Sequence, residues 1–286
     1  MRSTQDPRNT IGVGDRTLGP DLVLMGVLNI TPDSFSDGGD FFLDPEKAAS
    51  QAAAMLDEGA EIIDLGGEST RPGSAPVPQE EEASRVVPVI RAILANRPDA
   101  ILSIDTYRAA TAEATLEAGA RIINDVTALR GDPRMAHLVA DARCPLILMH
   151  MLGEPKTMQH DPRYEDVVRE VRDFLAARAE HAVAAGVENI ILDPGIGFGK
   201  TLEHNLALLR DLDSLIGLGF PVLVGASRKR FIGRISGVKE PKDRVFGTVA
   251  ANVVAYQQGA TFFRVHDVRA NREALAVAQA IRSGSR

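Results

Sequence analysis

One short unit recurs along the chain and constrains the fold more than any other feature. A helical stretch ends in a glycine, and an almost wholly apolar run follows within two or three residues, as in EGAEIIDL, EAGARIIND, AAGVENIILD and QGATFFRV. The glycine stands where a helix C-cap is expected, because a left-handed backbone favours a residue without Cβ. The apolar run is typical of a strand covered on both faces. The unit therefore predicts helices and parallel strands that alternate and feed one sheet.

Eight apolar runs can be assigned as strands, with amphipathic stretches between them. They are Leu22–Leu28, Glu61–Leu65, Ala100–Ile104, Arg121–Ile123, Pro145–Met149, Asn189–Leu192, Pro221–Val224 and Thr261–Phe263. Asp44 before Pro45 is an N-cap signal for the first long helix, and Pro162–Ala185 is the longest helical pattern. A doubly wound sheet would need a glycine fingerprint after its first strand, where this chain has NITP. Strict alternation therefore predicts an α/β fold of the (β/α)₈ TIM barrel type.

The length of 286 residues suits one such barrel, since the fold typically needs about 250 residues. Because no linker or change of composition divides the chain, we expect a single domain over residues 21–282. An N-terminal extension at residues 1–20 and a C-terminal tail at residues 283–286 are both expected to be loosely held.

Charge and cysteine content exclude several classes of protein. A formal net charge of −7 argues against a broad basic face for nucleic acid or membrane, so an anionic ligand must be held by local cations and backbone amides. The single cysteine, Cys144, excludes an internal disulfide and fits a reducing compartment. The first twenty residues lack the apolar segment of a secretory signal, and no apolar run reaches the roughly 18 residues of a membrane span. We therefore expect a cytoplasmic protein.

Polar residues end the predicted strands, at the edge where barrel enzymes carry their catalytic groups. In chain order they are Asn29, Asp64, Asp105, Asn124, His150, Asp193, Ser227 with Lys229, and Arg264 with His266. Each alone could be a helix cap or a solvated loop residue, but the complete series favours a site. Asn124 and Asp193 follow long apolar runs and should be buried, where a carboxylate can accept two parallel donors from a flat heterocycle. Asp105 has the same position, with capping of the next helix as the alternative.

Cations cluster after the last two strands, in GASRK at residues 225–229 and RVH at residues 264–266. Barrels often build a phosphate site in these loops. Arg71 adds a cation from the second loop, and His266 is placed to donate to a leaving phosphate. The sequence has no motif for a protein-caged zinc or calcium ion. A rim oxygen such as that of Asn29 could bind Mg²⁺, which usually takes its other ligands from phosphate and water.

A glycine-rich motif, GIGFGK at residues 195–200, follows the sixth predicted strand. It is similar to a phosphate-binding loop but lacks the Walker spacing. A mobile loop with one aromatic contact is an equally simple interpretation, so both remain open at this point.

These motifs together closely resemble the dihydropteroate synthase family of pterin-binding barrels, from Met25 to about Val268. The opening signature of that family is matched by MGVLNITPDSFSDGG at residues 25–39. GGESTRPG, SIDT, IND, MHMLGEPKTMQ, ILDPGIGFGK, GASRKR and RVHDV then follow in the family's order. Any one motif is only suggestive, whereas the ordered set is specific.

The resemblance implies an enzyme of folate synthesis that condenses 6-hydroxymethyl-7,8-dihydropterin diphosphate with p-aminobenzoate, giving 7,8-dihydropteroate and pyrophosphate. It implies that Asn29 ligates Mg²⁺ on the diphosphate. By the same resemblance the pterin is held by Asp105, Asn124, Asp193 and Lys229, with Met149 and Gly225 lining its pocket. The diphosphate is held by Arg71, Arg264, His266 and the backbone of Val265. The p-aminobenzoate pocket is bordered by Phe35, Thr70, Pro72, Phe198 and Ser227, and Asp37 helps to order the closed first loop.

Catalytic roles are assigned on this basis to Asp37, Lys229, Arg264 and His266. Arg230 follows Lys229 where some relatives carry serine, so backbone amides at the helix start could bind the benzoate carboxylate instead. Cations that stabilise the departing diphosphate weaken the C–O bond, the dihydropterin delocalises the methylene cation, and the neutral aniline attacks. No covalent nucleophile and no strong general base are predicted.

Two alternatives are weighed against this function. A pterin-binding module of a cobalamin-linked methyltransferase would leave TPDSFSDGG, SRK and RVHD without a use. A catalytically silent pterin-binding protein would be expected to have lost its diphosphate residues, yet Asn29, Arg264 and His266 all match. The resemblance also implies a homodimer, and His150 and Asp64 are interpreted as supporting residues.

Overall fold

The predicted apolar runs form the strands of one parallel sheet. The computed structural model describes residues 10–30, 44–68, 77–153 and 157–284. The strands in these residues are β1 (Ile11–Val13), β2 (Arg16–Leu18), β3 (Val23–Asn29), β4 (Ile62–Gly66), β5 (Ile101–Asp105), β6 (Ile122–Asp125), β7 (Leu146–Met149), β8 (Ile190–Asp193), β9 (Leu223–Val224) and β10 (Phe262–Val265). Strands β3 to β10 start and end within two residues of the predicted bounds. Most extend further toward the carboxyl end than predicted, because the polar residues there still pair with neighbouring strands.

Helices connect these strands in the expected alternation. They are α1 (Pro45–Asp57), α2 (Gln79–Asn96), α3 (Ala109–Glu117), α4 (Met135–Ala142), α5 (Val167–Ala184), α6 (Leu202–Arg210), α7 (Asp213–Ile216), α8 (Arg230–Ser236), α9 (Val245–Gln258) and α10 (Val268–Ser283). Asp44 caps α1 as predicted and accepts the N–H groups of Glu46 and Lys47 at 3.0 and 3.3 Å. Helix α5 begins at Val167 and not at Pro162, because Asp166 is its N-cap. Within the described ranges, no helix is both long and apolar enough to cross a membrane.

The eight parallel strands close into a ring. Their order is β8-β7-β6-β5-β4-β3-β10-β9. The two ends of this series meet where Leu192 of β8 bridges Val222, next to β9, and the Leu192 N–H donates to the Pro221 carbonyl at 2.9 Å. The predicted (β/α)₈ TIM barrel is therefore confirmed.

Side chains of each strand alternate between the helices outside and the interior of the barrel, because the side-chain period of a strand is two. An interior layer, called here the apolar plug, is formed by Val23, Met25, Ile62, Ile101, Ile122, Ile147, Ile191, Leu223 and Phe262. Two residues beyond the plug, on five of these strands and directly after β9, the same inward face carries Asp64, Asn124, Met149, Asp193, Gly225 and Arg264. The polar layer therefore lies on the apolar plug at the carboxyl end of the barrel.

The hairpin of β1 and β2 covers the other end of the plug. The strands pair antiparallel, and Ile11, Val13 and Leu18 are buried in the same cluster as the plug. The Gly12 N–H donates to the Asn189 side-chain oxygen at 2.9 Å. The expectation of a loosely held N-terminal segment is therefore wrong for residues 11–18, which cover an apolar surface that water would otherwise reach.

The first prediction concerns this hairpin. Ile11→Ala should lower the free energy of unfolding by about 2–4 kcal/mol, because it removes methyl groups from a closed core. Urea unfolding followed by circular dichroism measures the change. Thr17→Ala, on the exposed side of β2, is the matched control and should change stability by less than about 0.5 kcal/mol. Equal stability of the two variants would show that the hairpin is not part of the barrel core.

Candidate active site

An ion-paired layer lies inside the carboxyl end of the barrel. Arg264 donates through Nε to Asp64 Oδ2 at 2.6 Å and through Nη2 to Asp105 Oδ2 at 3.2 Å. Asn124 Nδ2 also approaches Asp64 Oδ2, at 3.4 Å. The pairing register places Asn29, Gly66, Asp105 and Asn124 side by side across β3 to β6. Residues from five strands thus meet within one layer.

Two carboxylate oxygens in this layer lack a partner. Asp64 Oδ1 and Asp105 Oδ1 are buried and accept no hydrogen bond from the described residues. A buried acceptor without a donor costs about 1–3 kcal/mol, so the layer is matched to a ligand that brings N–H groups. Asp193 accepts the Gly195 N–H through Oδ1 at 2.7 Å. A Cβ at Gly225 would lie 3.9 Å from Asp193 Oδ2, so glycine keeps the space beside that oxygen open.

Burial shapes the charges of these carboxylates. It raises the pKa of Asp105 above its usual range, and the Arg264 guanidinium partly opposes this rise. Burial also raises the pKa of Asp193, against the Gly195 hydrogen bond and the positive charge of Lys229. A ligand with N–H donors or positive charge therefore stabilises the ionised form of both groups.

Asn29 is the half-buried last residue of β3. A Cβ at Gly66 would lie 3.9 Å from Asn29 Oδ1, so the adjacent glycine leaves room around this oxygen. No group of three histidine, cysteine or acidic side chains suitable for a metal occurs among the described residues. A single amide oxygen fits Mg²⁺ if phosphate oxygens and water complete the octahedron, and it does not fit zinc.

The loops after β9 and β10 are joined by two contacts. Ser227 Oγ accepts the His266 N–H at 3.1 Å and lies 3.0 Å from His266 Nδ1. Arg228 forms an ion pair with Asp267 at 2.6 and 3.0 Å. The sequence places Arg228 in the cation cluster predicted to bind phosphate and gives Asp267 no role, and nothing in either motif indicates that the two residues pair. The pair fixes the relative position of the loops that carry the predicted phosphate-binding groups.

Lys229 and Phe198 meet at the edge of the layer. Lys229 Nζ donates to the Ile196 carbonyl at 2.6 Å and lies 4.0 Å from the centre of the Phe198 ring. Burial lowers the pKa of Lys229, and the carboxylate of Asp193 opposes the shift. Phe198 also packs against an apolar group that contains Met149 and Met158.

The structure brings most of the predicted site residues to one rim. Asn29, Asp105, Asn124, Met149, Asp193, Phe198, Gly225, Ser227, Lys229, Arg264 and His266 lie there. The side chain of Val265 faces outward into the helix-packed core, which leaves only its backbone for the predicted contact. Phe35, Asp37, Thr70, Arg71 and Pro72 lie outside the described residues, so their roles stay predictions.

Neither interpretation of the glycine loop (residues 195–200) holds in full, although its aromatic residue, Phe198, does make the expected contact. Gly195, Gly197 and Gly199 have φ angles of +65°, +86° and +61°, and a Cβ at Gly195 would lie 1.9 Å from the His150 carbonyl oxygen. Lys200 is buried, and its Nζ lies 2.9 Å from His150 Nδ1. The loop is held closely by hydrogen bonds, which disagrees with a mobile segment, and its lysine is not placed as a phosphate ligand.

A second buried network was also missed. Arg108 donates to Glu68 and Glu82, each at 2.7 Å, and to the Val77 carbonyl at 2.9 Å. A signal for it exists in the sequence, because Glu82 falls on the apolar stripe of α2 that continues with Val86 and Ile90. A carboxylate in such a stripe indicates a buried cation elsewhere in the chain.

The chain is similar to known proteins over nearly its whole length. The family model described as "Pterin binding enzyme" matches residues 25–266. A dihydropteroate synthase of Synechocystis is 48% identical over 260 residues, which cover 90% of this chain and 89% of the relative. A dihydropteroate synthase of Mycobacterium leprae is 48% identical over 262 residues, covering 89% of this chain and 91% of the relative.

Solved structures show the same relation. The dihydropteroate synthase of Xanthomonas albilineans with 4-aminobenzoic acid superposes with a TM-score of 0.89 at 45% identity, over 96% of this chain and 98% of that one. The Yersinia pestis enzyme in complex with a sulfonamide drug superposes with a TM-score of 0.89 at 45% identity, over 96% of this chain and 99% of that one. The Thermus thermophilus enzyme in complex with 6HMPPP superposes with a TM-score of 0.83 at 47% identity, over 95% of this chain and 99% of that one.

The second prediction concerns His150. Burial, with Lys200 and Arg130 nearby, lowers the pKa of His150 to about 3. Below about pH 6.5 the histidine is therefore protonated in the unfolded chain but stays neutral in the folded chain. His150 therefore lowers stability progressively as the pH falls from about 6.5. The stability advantage of wild type over His150→Asn should shrink by about 1–2 kcal/mol from pH 7 to pH 5, measured by urea unfolding. His137→Asn, at an exposed histidine, is the control, and an advantage independent of pH would contradict the assignment.

Proposed function

Because the chain belongs to the pterin-binding enzyme family and, within it, to the dihydropteroate synthases, we infer that it condenses 6-hydroxymethyl-7,8-dihydropterin diphosphate with p-aminobenzoate. The products are 7,8-dihydropteroate and pyrophosphate. The observation that carries the assignment to this rim is the buried Oδ1 of Asp105, which accepts no hydrogen bond from the described residues and so lacks an N–H donor. Identity of 48% to enzymes matched along about nine-tenths of their length disfavours both a cobalamin-linked module and a silent binding protein.

The pterin is proposed to lie flat on the ion-paired layer. Its aminopyrimidine edge carries the N–H donors that Asp105 and Asp193 can accept, and Asn124 can both donate and accept. Gly195 fixes Asp193 through one carboxylate oxygen, and Gly225 leaves space beside the other. Met149 and the stem of Lys229 then form the sides of the pocket.

The diphosphate is proposed to lie above this layer, near the loops after β9 and β10. Arg264 uses two of its five N–H donors on Asp64 and Asp105, so the others can bind phosphate oxygens. His266, positioned by Ser227, supplies a second donor, and Arg71 and the Val265 backbone are further proposed ligands. As the C–O bond breaks, its electron pair leaves with the diphosphate, where these groups stabilise the negative charge.

The dihydropterin ring delocalises the positive charge on its methylene carbon, and the carboxylates of Asp105 and Asp193 favour that charge. The aniline nitrogen of p-aminobenzoate then attacks the carbon and afterwards loses a proton. Phe198 and Ser227 are proposed to border this second substrate, together with Phe35, Thr70 and Pro72, while Asp37 is proposed to order the first loop. A sulfonamide would take the same place.

Mg²⁺ is the proposed cofactor, and Asn29 Oδ1 is the protein oxygen that would hold it. The room beside Gly66 and the single amide donor fit an ion whose other ligands come from diphosphate and water. When bound, Mg²⁺ would add positive charge that stabilises the leaving group.

A homodimer is proposed on an exposed apolar face of three neighbouring helices. Phe246 and Val254 lie two turns apart on α9, Val277 and Ile281 lie one turn apart on α10, and Ile235 adds to them from α8. Neighbouring exposed apolar side chains mark an interaction surface more than scattered ones do. The cytoplasm is the proposed location, supported by a single, buried cysteine.

The third prediction is the direct test of the reaction. Pyrophosphate release, followed by a coupled assay, should require both the dihydropterin diphosphate and p-aminobenzoate, and a sulfonamide should raise the apparent KM for p-aminobenzoate. Excess chelator should abolish turnover, and added Mg²⁺ should restore it. Release without p-aminobenzoate would contradict the proposed function, whereas unchanged turnover in chelator would contradict only the metal.

The fourth prediction concerns Asp193. Asp193→Ala should weaken binding of the dihydropterin diphosphate at least about thirtyfold, equivalent to about 2 kcal/mol, because charge-assisted hydrogen bonds to the ring are lost. Isothermal titration calorimetry measures the affinity, and far-ultraviolet circular dichroism checks the fold. Asp173→Ala, at an exposed position of α5, is the control, and wild-type affinity of Asp193→Ala would refute the assignment.

The fifth prediction tests the homodimer. The wild-type protein should sediment as a dimer, and Phe246→Glu should sediment as a monomer because it places a charge in the apolar face. Val183→Glu changes an exposed valine on α5 and should remain dimeric. A monomeric wild type, or a dimeric Phe246→Glu, would show that this face is not the interface.

A further inference from the structure

Lys200 is a buried lysine that the proposed reaction does not use. Its side chain is 3% exposed, and its Nζ lies 2.9 Å from His150 Nδ1, 3.3 Å from the His150 carbonyl oxygen and 2.9 Å from the Phe198 carbonyl oxygen. A charged lysine has three N–H donors, and three acceptors lie within hydrogen-bond distance of Nζ here. Burial lowers the pKa of Lys200 to about 7, and the carboxylate of Asp193 opposes that shift. Lys200 therefore has a partner for each donor of its charged form, whereas Asp64 Oδ1 and Asp105 Oδ1 accept no hydrogen bond from the described residues.

His150 is held in the state that this arrangement requires. Burial keeps the ring neutral by lowering the pKa of His150 to about 3, and in the tautomer with its proton on Nε2 the Nδ1 atom accepts from Lys200. The ring meets Phe174 of α5 edge-on, with centroids 4.9 Å apart. The Lys200–His150 pair therefore packs against helix α5.

The pair holds one point of the glycine loop, and other groups hold the rest. Gly197 is fixed through its N–H by Asn205 at 2.6 Å and through its carbonyl by Gln159 at 2.5 Å. The Gly199 carbonyl accepts from Tyr164 at 2.9 Å. Between these two glycines the Phe198 carbonyl is bound by Lys200. On the other side of the same residue, the Phe198 ring lies against Lys229 Nζ.

We propose that Lys200 is a positioning residue for the second substrate: it binds the Phe198 carbonyl and thereby fixes the Phe198 ring against Lys229 at the rim. This inference rests on the proposed function, because it assigns Phe198 to the p-aminobenzoate side of the site. A smaller neutral side chain could not reach all three acceptors, and burying a lysine charge is unfavourable without such partners.

Steady-state kinetics of Lys200→Met test the effect on the reaction. The variant keeps the length of the side chain and removes its donors. The KM for p-aminobenzoate should rise about tenfold, while the KM for the dihydropterin diphosphate and kcat should each change less than about threefold. An unchanged KM for p-aminobenzoate, or an equal loss for both substrates, would overturn the proposal.

A matched pair at His150 separates positioning from general damage to the fold. His150→Asn keeps an acceptor near the place of Nδ1, whereas His150→Leu removes it. The asparagine variant should keep a KM for p-aminobenzoate close to that of wild type, and the leucine variant should resemble Lys200→Met. Identical KM values for the two variants would overturn the proposal.

A fluorescence measurement tests the anchor without turnover. The chain contains no tryptophan, so Phe198→Trp introduces a single reporter in the loop. Its emission anisotropy should fall when Lys200→Met is added, whereas that of Phe220→Trp, at a half-buried site away from the loop, should not. Unchanged anisotropy at position 198 would overturn the proposal even if the enzyme is fully active. If the anisotropy falls but the protein has no activity, the role of Lys200 in holding Phe198 is supported and only the proposed function fails.

Discussion

Side chains of a β-strand alternate between two faces, and in a closed ring of parallel strands one of those faces can only point inward. The interior of this barrel is filled in layers, with the apolar plug below and the ion-paired layer above. Residues of the two layers are two positions apart on the same strands, so the plug sets the height and direction of Asp64, Asn124, Asp193 and Arg264. Packing at the base thereby determines the geometry at the rim. Rigid strand ends then carry the groups that need close placement, and the loops add the rest.

Charged groups are concentrated inside this barrel, and among the described residues their hydrogen bonds are incomplete. Arg264 serves Asp64 and Asp105 together, yet one oxygen of each carboxylate has no donor among the described residues. Breaking or leaving incomplete a buried ionic network is unfavourable by several kcal/mol. The ligand-free layer is therefore less stable than a saturated one, and the missing donors define what must bind. A flat ring with N–H groups on its edge supplies the missing donors, and the positive charge that develops on it in the transition state is stabilised by the carboxylates.

Strand positions and strand-end residues were predictable because both follow from short-range patterns. Asp105 and Asp193 each end an apolar run, at the edge where barrel enzymes carry their catalytic groups. Lys200, Arg108 and Arg228 were not predictable in the same way, since their partners His150, Glu82 and Asp267 lie in other loops or helices. Only Glu82 left a local trace, as a carboxylate on an apolar helical stripe. The N-terminal hairpin had a usable signal as well, because Gly14 and Asp15 stand between alternating residues as in a two-residue turn.

The hairpin also has a consequence for the order in which the molecule is built. Ile11 and Val13 pack in one cluster with Leu223 and Phe262, which the ribosome adds only after all the strands from β3 to β8. The first and last strands of the ring, β3 and β10, also pair with each other. Strands β1 to β3 must therefore wait, with apolar surface exposed, until β9 and β10 have left the ribosome. Contacts of such long sequence separation slow folding, and nascent or truncated chains that lack β10 expose the apolar surface on which aggregation begins.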